Sequence, residues 1–453
     1  MNPTRRILLP VEIKTRELDA MILLACFLAE RDMEVLVGDR ETIKARVHRL
    51  HSSIYLGKSV TREMGKYYRH LLDLGHGVAA LDEEGLVIYS PEIYRTRRLG
   101  PETIRLPQAL FAWGEENATL WREELDETAN RVHVTGNPRF DLLRSPLRQI
   151  YREKADELKT RYGPYVLFNS NFHWVNTRRG AATRLPDPED VASGRFPIPR
   201  FYNPELARYR IRLFRAYLDA IPELARAFPD IHFIIRPHPA ENPRPWREVT
   251  TSLTNCSVLY EGEAVPWILG SQAVLHHSCT TAVEAFVLGK PVVCYRPYRD
   301  DDLDPPLPIH LSIQAEDLES LLEIMRQAFI SGPDSQARQR RETYLQRHLA
   351  PEGGKLACER IAQVLETLPL PTPPWQRRMK ARLKSYRKRL RHRIREARGE
   401  TLTRTFADLY PPTPVAEIQQ RIHSYATLLD RFHNVSATGL ATNLYRIRAN
   451  VGR

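Results

Sequence analysis

The sequence predicts an α/β protein of two Rossmann-like domains facing a cleft, with a C-terminal helical extension. Short apolar runs alternate with helix-length amphipathic stretches, which is the pattern of strands and crossover helices in parallel sheets. That alternation runs through the chain twice, with a pause across residues 136–162. At 453 residues and 42% hydrophobic content the chain can bury two ordinary cores, since domains run to roughly 100–200 residues each.

In the first domain, taken as 1–145, the expected strands are 6–11, 33–38, 53–56, 77–81, 109–113 and 132–135. After the first of them Leu18, Met21, Ile22, Leu24, Ala25 and Leu28 recur at helical spacing, which makes one βα unit. The second domain, taken as 160–365, starts with the strand 166–169 and continues through 231–235, 256–260, 273–276 and 291–295. The proline-rich stretch 368–374 cannot continue a helix and reads as a linker. A basic amphipathic helix over 375–398 and a helical extension over 400–453 follow, the latter including a polar helical stretch from about Pro414 to Phe432.

The formal charge of +12 is concentrated in one place. Residues 377–398 carry twelve Lys or Arg against the single acid Glu396, which leaves the globular part nearly neutral. Five cysteines without a C-x-x-C pair suggest neither a disulfide framework nor a zinc site, and fit a reducing compartment. No apolar run reaches the ~20 residues of a membrane span, so a cytoplasmic, soluble or peripheral protein is expected. No P-loop, no strand-linked G-x-G-x-x-G and no D-x-D element in a metal-binding context is present, so neither a metal nor a redox cofactor is expected.

Five constellations could carry chemistry. Arg236, His238 and Pro239 follow the run 231–235, where open α/β sheets bind ligands; Arg236 and His238, on a loop whose direction Pro239 helps fix, read as hydrogen-bond donors to a phosphate, or as a capping arginine and a loop histidine. His277, Ser278, Thr280, Thr281 and Glu284 sit where a strand turns into a helix. They read as an anion site with a carboxylate for a ribose diol, or as an N-cap with its capping-box partner. Asp82 and Glu83, in the sequence Leu81-Asp-Glu-Glu-Gly85, follow the strand 77–81 and offer a base, or a solvated acidic turn. Glu12, Lys14, Arg16 and Glu17 crowd the loop after the first strand and read as acceptor or sugar contacts, with Glu12 a further candidate base, or as a charge cluster at a helix start. Asn169 and Asn171 end the first strand of the second domain as candidate donor contacts, although such amides often satisfy only backbone.

Together the stretches LLPVEIKTRELDA, LDEEGL, GNPRFDLL, LFNSNFHWVN, IIRPHPAENPRPW and HHSCTTAVEAFVLGKPVVCYRP resemble the bacterial surface carbohydrate biosynthesis protein family, glycosyltransferases of GT-B fold, up to about residue 300. In motifs the chain is also similar to bacterial transferases that use CMP-activated ulosonic acids, of the sialic acid and Kdo type. That resemblance implies a base from an acid-acid-Gly motif (here Asp82 or Glu83), an HP motif on the leaving CMP (His238, Pro239) and a Ser/Thr motif on its phosphate (Ser278, Thr280, Thr281). DEEG departs from the compact three-residue motif. An RxHP-like loop with a hydroxyl-rich turn also resembles CDP-polyol transferases of the teichoic-acid type, and a UDP-sugar-dependent GT-B transferase and a sugar-nucleotide epimerase share the plan. The resemblance implies a nucleotide-sugar donor and a saccharide acceptor, lipid-linked or free, at the inner face of the cytoplasmic membrane.

Within 375–398, Trp375, Met379, Leu383, Tyr386, Leu390, Ile394 and Ala397 follow one another by three or four residues and share one helical stripe. Surrounded by like charges, such a helix is not expected to be stable alone in water and needs an apolar surface with negative charge. An anionic membrane would supply both; the protein's own surface is the other candidate. Nucleic acid is not expected, since ring residues are few there and no nucleic-acid fold precedes the segment.

Overall fold

The computed structural model describes residues 5–178, 187–194, 203–330, 335–350, 353–397 and 409–450. Residue 398 and residues 400–408 and 451–453, which the expected C-terminal segments include, lie outside the described residues. Two compact units are present, one of residues 1–86, 91–148 and 346–453, the other of 87–90 and 149–345.

The first unit is built on a sheet whose parallel part comprises β1 (Arg6–Val11), β2 (Glu34–Asp39), β3 (Ile54–Gly57), β4 (Gly77–Leu81), β5 (Ala109–Ala112) and β6 (Val132–Val134), in the order β2-β1-β3-β4-β5-β6. The helix Lys14–Ala29 is buried almost all round, from Leu18 through Ala29 with the exception of Asp19, as expected of a helix that is apolar on every face. It lies against β1 and β2 and against the helices Ala357–Thr367 and Val415–Leu429.

The second unit holds six parallel strands, β7 (Tyr165–Asn169), β8 (His232–Arg236), β9 (Cys256–Val258), β10 (Ala273–His276), β11 (Val292–Tyr295) and β12 (Ile313–Ala315), in the order β12-β11-β10-β7-β8-β9. Its core gathers Phe168, Phe172, Phe214, Tyr217 and Trp246, with the Phe168 and Tyr217 rings stacked at 5.0 Å. The chain runs outward from β7 to β9 and returns to start again at β10, so the strand order reverses between β7 and β10. In the first sheet it reverses between β1 and β3. At such switch points the loops leaving adjacent strands diverge and open a crevice for ligands.

The two Rossmann-like sheets and the helical C-terminal part are therefore those the sequence leads one to expect, with three differences. The second domain does not extend to residue 365, because from Gln346 onward the chain belongs to the first unit. There the Asp141 carboxylate accepts the backbone N–H groups of Ala357 and Cys358, each at 2.8 Å, and so satisfies the exposed start of Ala357–Thr367. Second, the C-terminal part also contains a hairpin, β13 (Val435–Ala441) and β14 (Leu444–Ala449), which adds antiparallel to β2. Gly38 permits this: a Cβ there would lie 2.1 Å from the Asn443 carbonyl oxygen. Third, β12 is a three-residue edge strand, too short to show a pattern.

Candidate functional site

At the switch point of the second sheet, the loops leaving β7, β8 and β10 are tied to one another. Asn171 Nδ2 donates to the Ser278 carbonyl at 3.5 Å, Asn171 Oδ1 lies 3.2 Å from His173 Nδ1, and the His173 ring stacks on His238 at 4.3 Å. Burial, reinforced by the neighbouring His238 and Arg210, pushes His173 down to about 3, so it is neutral. His238 is exposed at the loop tip with Pro239. Its Nδ1 accepts the Ala240 N–H at 3.2 Å, which in the neutral ring leaves the proton on Nε2.

The helix Thr280–Val287 is capped by Cys279, whose sulfur accepts the Thr281 N–H at 3.3 Å. The cap is thus neither Ser278 nor Thr280. Ser278 is buried and holds φ of +49°, a left-handed conformation that a non-glycine residue adopts at a cost. Thr280 and Thr281 are half-buried in the first turn and Glu284 is buried one turn on. Asn169 ends β7 beside Arg236, and its buried amide nitrogen has no hydrogen-bond partner among the described residues.

Two expected donor contacts are otherwise engaged. Arg236 is buried, donates to the Glu261 carbonyl at 3.1 Å and to that of Gly262, and lies over the Tyr260 ring at 4.5 Å. It is held by a loop's carbonyls, which satisfies a cation that burial would otherwise disfavour. His277 is fully enclosed. Its Nδ1 faces Arg210 Nη1 at 2.8 Å, and since arginine only donates, the His277 proton sits on Nε2, 3.4 Å from Asp304 Oδ1. Burial and then Arg210 bring His277 down to about 4, against the pull of Asp304. Asp304 accepts from Arg296 Nε at 2.8 Å and Tyr209 OH at 2.7 Å, and Arg210 Nη2 reaches Tyr89 OH at 2.5 Å. His277 is therefore the centre of a buried polar chain beneath the loop surface.

In the first unit the expected residues gather around the C-terminal ends of β1, β3 and β4. Glu17 is buried and accepts the N–H groups of Glu12 at 2.7 Å and Ile13 at 3.4 Å, together with an ion pair to Arg16 at 3.0 Å and another to Lys58. Although burial opposes ionisation, Lys58 and Arg16 hold its carboxyl below the usual range. It organises the first turn of Lys14–Ala29 across the switch point and is saturated, as is Lys14, which pairs with Glu417 at 2.8 Å. Glu12 pairs with Arg40. Glu12, Lys14, Arg16 and Glu17 are thus all engaged in ion pairs within the unit.

The two carboxylates of the DEEG turn differ. Asp82 is buried and accepts from Tyr94 OH at 2.8 Å and from Arg98, while its carbonyl accepts from Trp113 Nε1 at 2.5 Å. It is a firmly held carboxylate at the strand end. Glu83 is buried too, yet neither of its oxygens has a hydrogen-bond partner among the described residues, and its nearest cation is Arg139 at 3.7 Å. Burial lifts Glu83 above the usual carboxylate range, Arg139 offsets this in part and Glu17 adds to it.

Sequence reasoning missed Arg210, Asp304, Lys58, Arg139 and Glu241. Glu241 has four donors on its buried carboxylate, from Ser170, Phe172, Asn176 and Trp246, and shapes the loop after β7. Arg210 had a readable signal, since it falls on the buried face of Pro204–Ala227 between Ala207 and Phe214, where a cation needs a partner. Lys58 and Arg139 had none.

No protein-family model matches the chain, and no curated protein matches it by sequence. Among solved structures it is similar to UDP-GlcNAc 2-epimerase from Neisseria meningitidis bound to UDP-GlcNAc (14% identity, 80% of this chain and 99% of that chain, TM-score 0.49). It is likewise similar to UDP-GlcNAc 2-epimerase from Methanocaldococcus jannaschii (16%, 80% and 99%, TM-score 0.47), and to Anabaena Alr3699/HepE in complex with UDP-glucose (12%, 80% and 100%, TM-score 0.42).

Proposed function

We propose that the protein is a nucleotide-sugar-dependent glycosyltransferase of bacterial surface polysaccharide biosynthesis, with the donor held by the second unit. The observation that carries this reading is the joining of three loops at the β7/β10 switch point, which sets a histidine Nε2–H, an orphaned buried amide and helix-start hydroxyls at one sheet edge. These groups are donors suited to a phosphate and a sugar hydroxyl.

The finer reading is transfer of an acidic ulosonic sugar from a CMP-activated donor to a saccharide acceptor, without a metal. In it the acceptor hydroxyl attacks the anomeric carbon, the carbon–oxygen bond to the CMP phosphate breaks, and the hydroxyl proton passes to a carboxylate. His238 and the Thr280 and Thr281 hydroxyls would donate to the departing phosphate, where negative charge develops. Glu83 is the carboxylate whose environment suits proton uptake, being raised and without hydrogen bonds.

Thermal-shift titration with CMP, CDP, UDP and GDP, followed by donor turnover with and without saccharide acceptor, tests the reading. A ligand that binds the folded state raises its melting temperature. CMP is expected to do so, and turnover is expected to require acceptor. Stabilisation by UDP with acceptor-free isomerisation of UDP-GlcNAc would replace it with epimerisation, and turnover of CDP-glycerol with polyol phosphotransfer.

A further inference from the structure

We infer that the helix Trp375–Ala397 is a preformed docking keel by which the first unit sits on an anionic lipid bilayer. This goes beyond the donor chemistry and does not depend on it.

Three observations carry it. The helix is fixed to the first unit mainly by the face away from the stripe: Ala381 is buried and Ser385 Oγ lies 2.8 Å from His70 Nε2 on the helix Gly65–Leu74, while the half-exposed Tyr386, on the stripe's border, meets His48 edge-on at 4.8 Å. The linker before it is pinned as well, since Gln108 Nε2 donates to the Pro369 carbonyl at 2.6 Å and Arg5 Nη1 to the Leu365 carbonyl at 3.0 Å. The instability expected of this helix in isolation is thus met by packing, but mainly through the face away from the stripe.

The apolar stripe itself is left in solvent. Trp375 is 71% exposed, Leu383 51% and Leu390 60%, and Met379, Tyr386 and Ile394 are comparably open. Six large apolar side chains aligned on one face of a soluble surface mark an interaction site.

Charge selects the occupant. Helical spacing puts the exposed Lys380, Lys384, Arg387 and Arg391 along one flank of the stripe, while Arg382 and Arg389 on the other flank are half-buried. A bilayer containing anionic lipid offers hydrocarbon for the stripe and phosphates for the exposed cationic flank at the same depth. A second copy would bring another net +11 segment against this one. A nucleic acid would meet the cations but leave Met379, Leu383, Leu390 and Ile394 in water.

Flotation of the full chain with phosphatidylcholine vesicles, with and without phosphatidylglycerol, tests this, with helicity followed by circular dichroism. Binding is expected only with the anionic lipid and should fall as salt rises from about 50 mM to about 500 mM. Leu383→Glu/Leu390→Glu and Lys384→Gln/Arg387→Gln/Arg391→Gln, all at exposed positions, should each weaken it at least about tenfold. Helicity should not change on binding, because the helix already exists. Donor turnover in solution should be unchanged in both variants, so this inference and the enzymatic reading fail separately. Wild-type flotation of the Leu383→Glu/Leu390→Glu variant overturns the proposal. So does an absence of binding to anionic vesicles, or binding to poly(U) that is tighter than to vesicles and indifferent to the stripe.

Discussion

Replacing Glu83 by glutamine separates a catalytic carboxylate from a structural one, because the two roles move stability in different directions. Glu83 is buried with Arg139 at 3.7 Å and no hydrogen bond among the described residues. If that contact were a structural ion pair, removing one of its charges would cost about 3–5 kcal/mol, or roughly 6–20 °C at 2–4 °C per kcal/mol for a unit of this size. The geometry argues otherwise, since burial of the carboxylate outweighs the combined pull of Arg139, Lys58 and Arg16, and Arg139 itself makes only an imperfect contact. Glutamine removes the charge, keeps the shape and leaves an unpaired amide worth about 1–3 kcal/mol; the two effects nearly cancel, so stability within about 1 kcal/mol of wild type is expected.

The pH dependence follows from the raised pKa of Glu83. The folded state takes up the proton before the unfolded chain does, so this group's contribution to stability rises as pH falls from the raised value toward the ordinary carboxylate range. The variant should lack that rise. Transfer should drop by about 10²–10⁴-fold, the usual contribution of a general base. Melting curves from the ordinary carboxylate range up to neutral pH and initial rates of donor consumption with acceptor are the assays. A variant that is much less stable at neutral pH and fully active would refute the reasoning.

His238→Ala should lower turnover by roughly 10²-fold with little change in melting temperature, because the ring is exposed; wild-type turnover would remove it from the mechanism. Ser278→Gly should relieve the left-handed backbone and stabilise the second unit by up to about 1 kcal/mol while reducing turnover, and a destabilised variant in a melting scan would contradict the strain argument. Arg210→Met should cost about 2–3 kcal/mol by leaving His277 and Tyr89 without their cation. Losing Arg210 should also let His277 titrate higher than about 4, which NMR of the imidazole would detect. Asp141→Ala should uncap Ala357–Thr367 and cost about 2–4 kcal/mol, with faster proteolysis of that helix; unchanged cleavage would exclude the cap.

Eleven strands were legible in the sequence within a residue or two at most ends, because apolar runs at strand length, separated by helical periodicity, are a local signal. The hairpin β13–β14 was not, since β13 is largely half-exposed or exposed, and what makes the pair part of the sheet is β2, some four hundred residues earlier. The loops of the candidate site were also legible, because switch-point loops carry polar residues immediately after apolar strands. Which of those residues face a ligand was not. His277 and His238 look alike in sequence, yet one is sealed between Arg210 and Asp304 and the other stands at a loop tip.

By itself, then, the sequence determined the two α/β repeats, the positions of the strand-end motifs and the amphipathic spacing of 375–397, all of which are properties of neighbouring residues. Tertiary structure decided the rest: that Asp82 is locked by Tyr94 and Arg98 while Glu83 is left without a hydrogen bond, that Lys58 neutralises Glu17, and that the basic helix packs mainly by the face away from its apolar stripe and leaves that stripe in water. The physical reason is that periodicity dictates what a segment can bury, whereas a charge's state depends on partners brought from elsewhere in the chain, 41 residues away for Glu17 and Lys58 and 216 for Asp141 and Ala357.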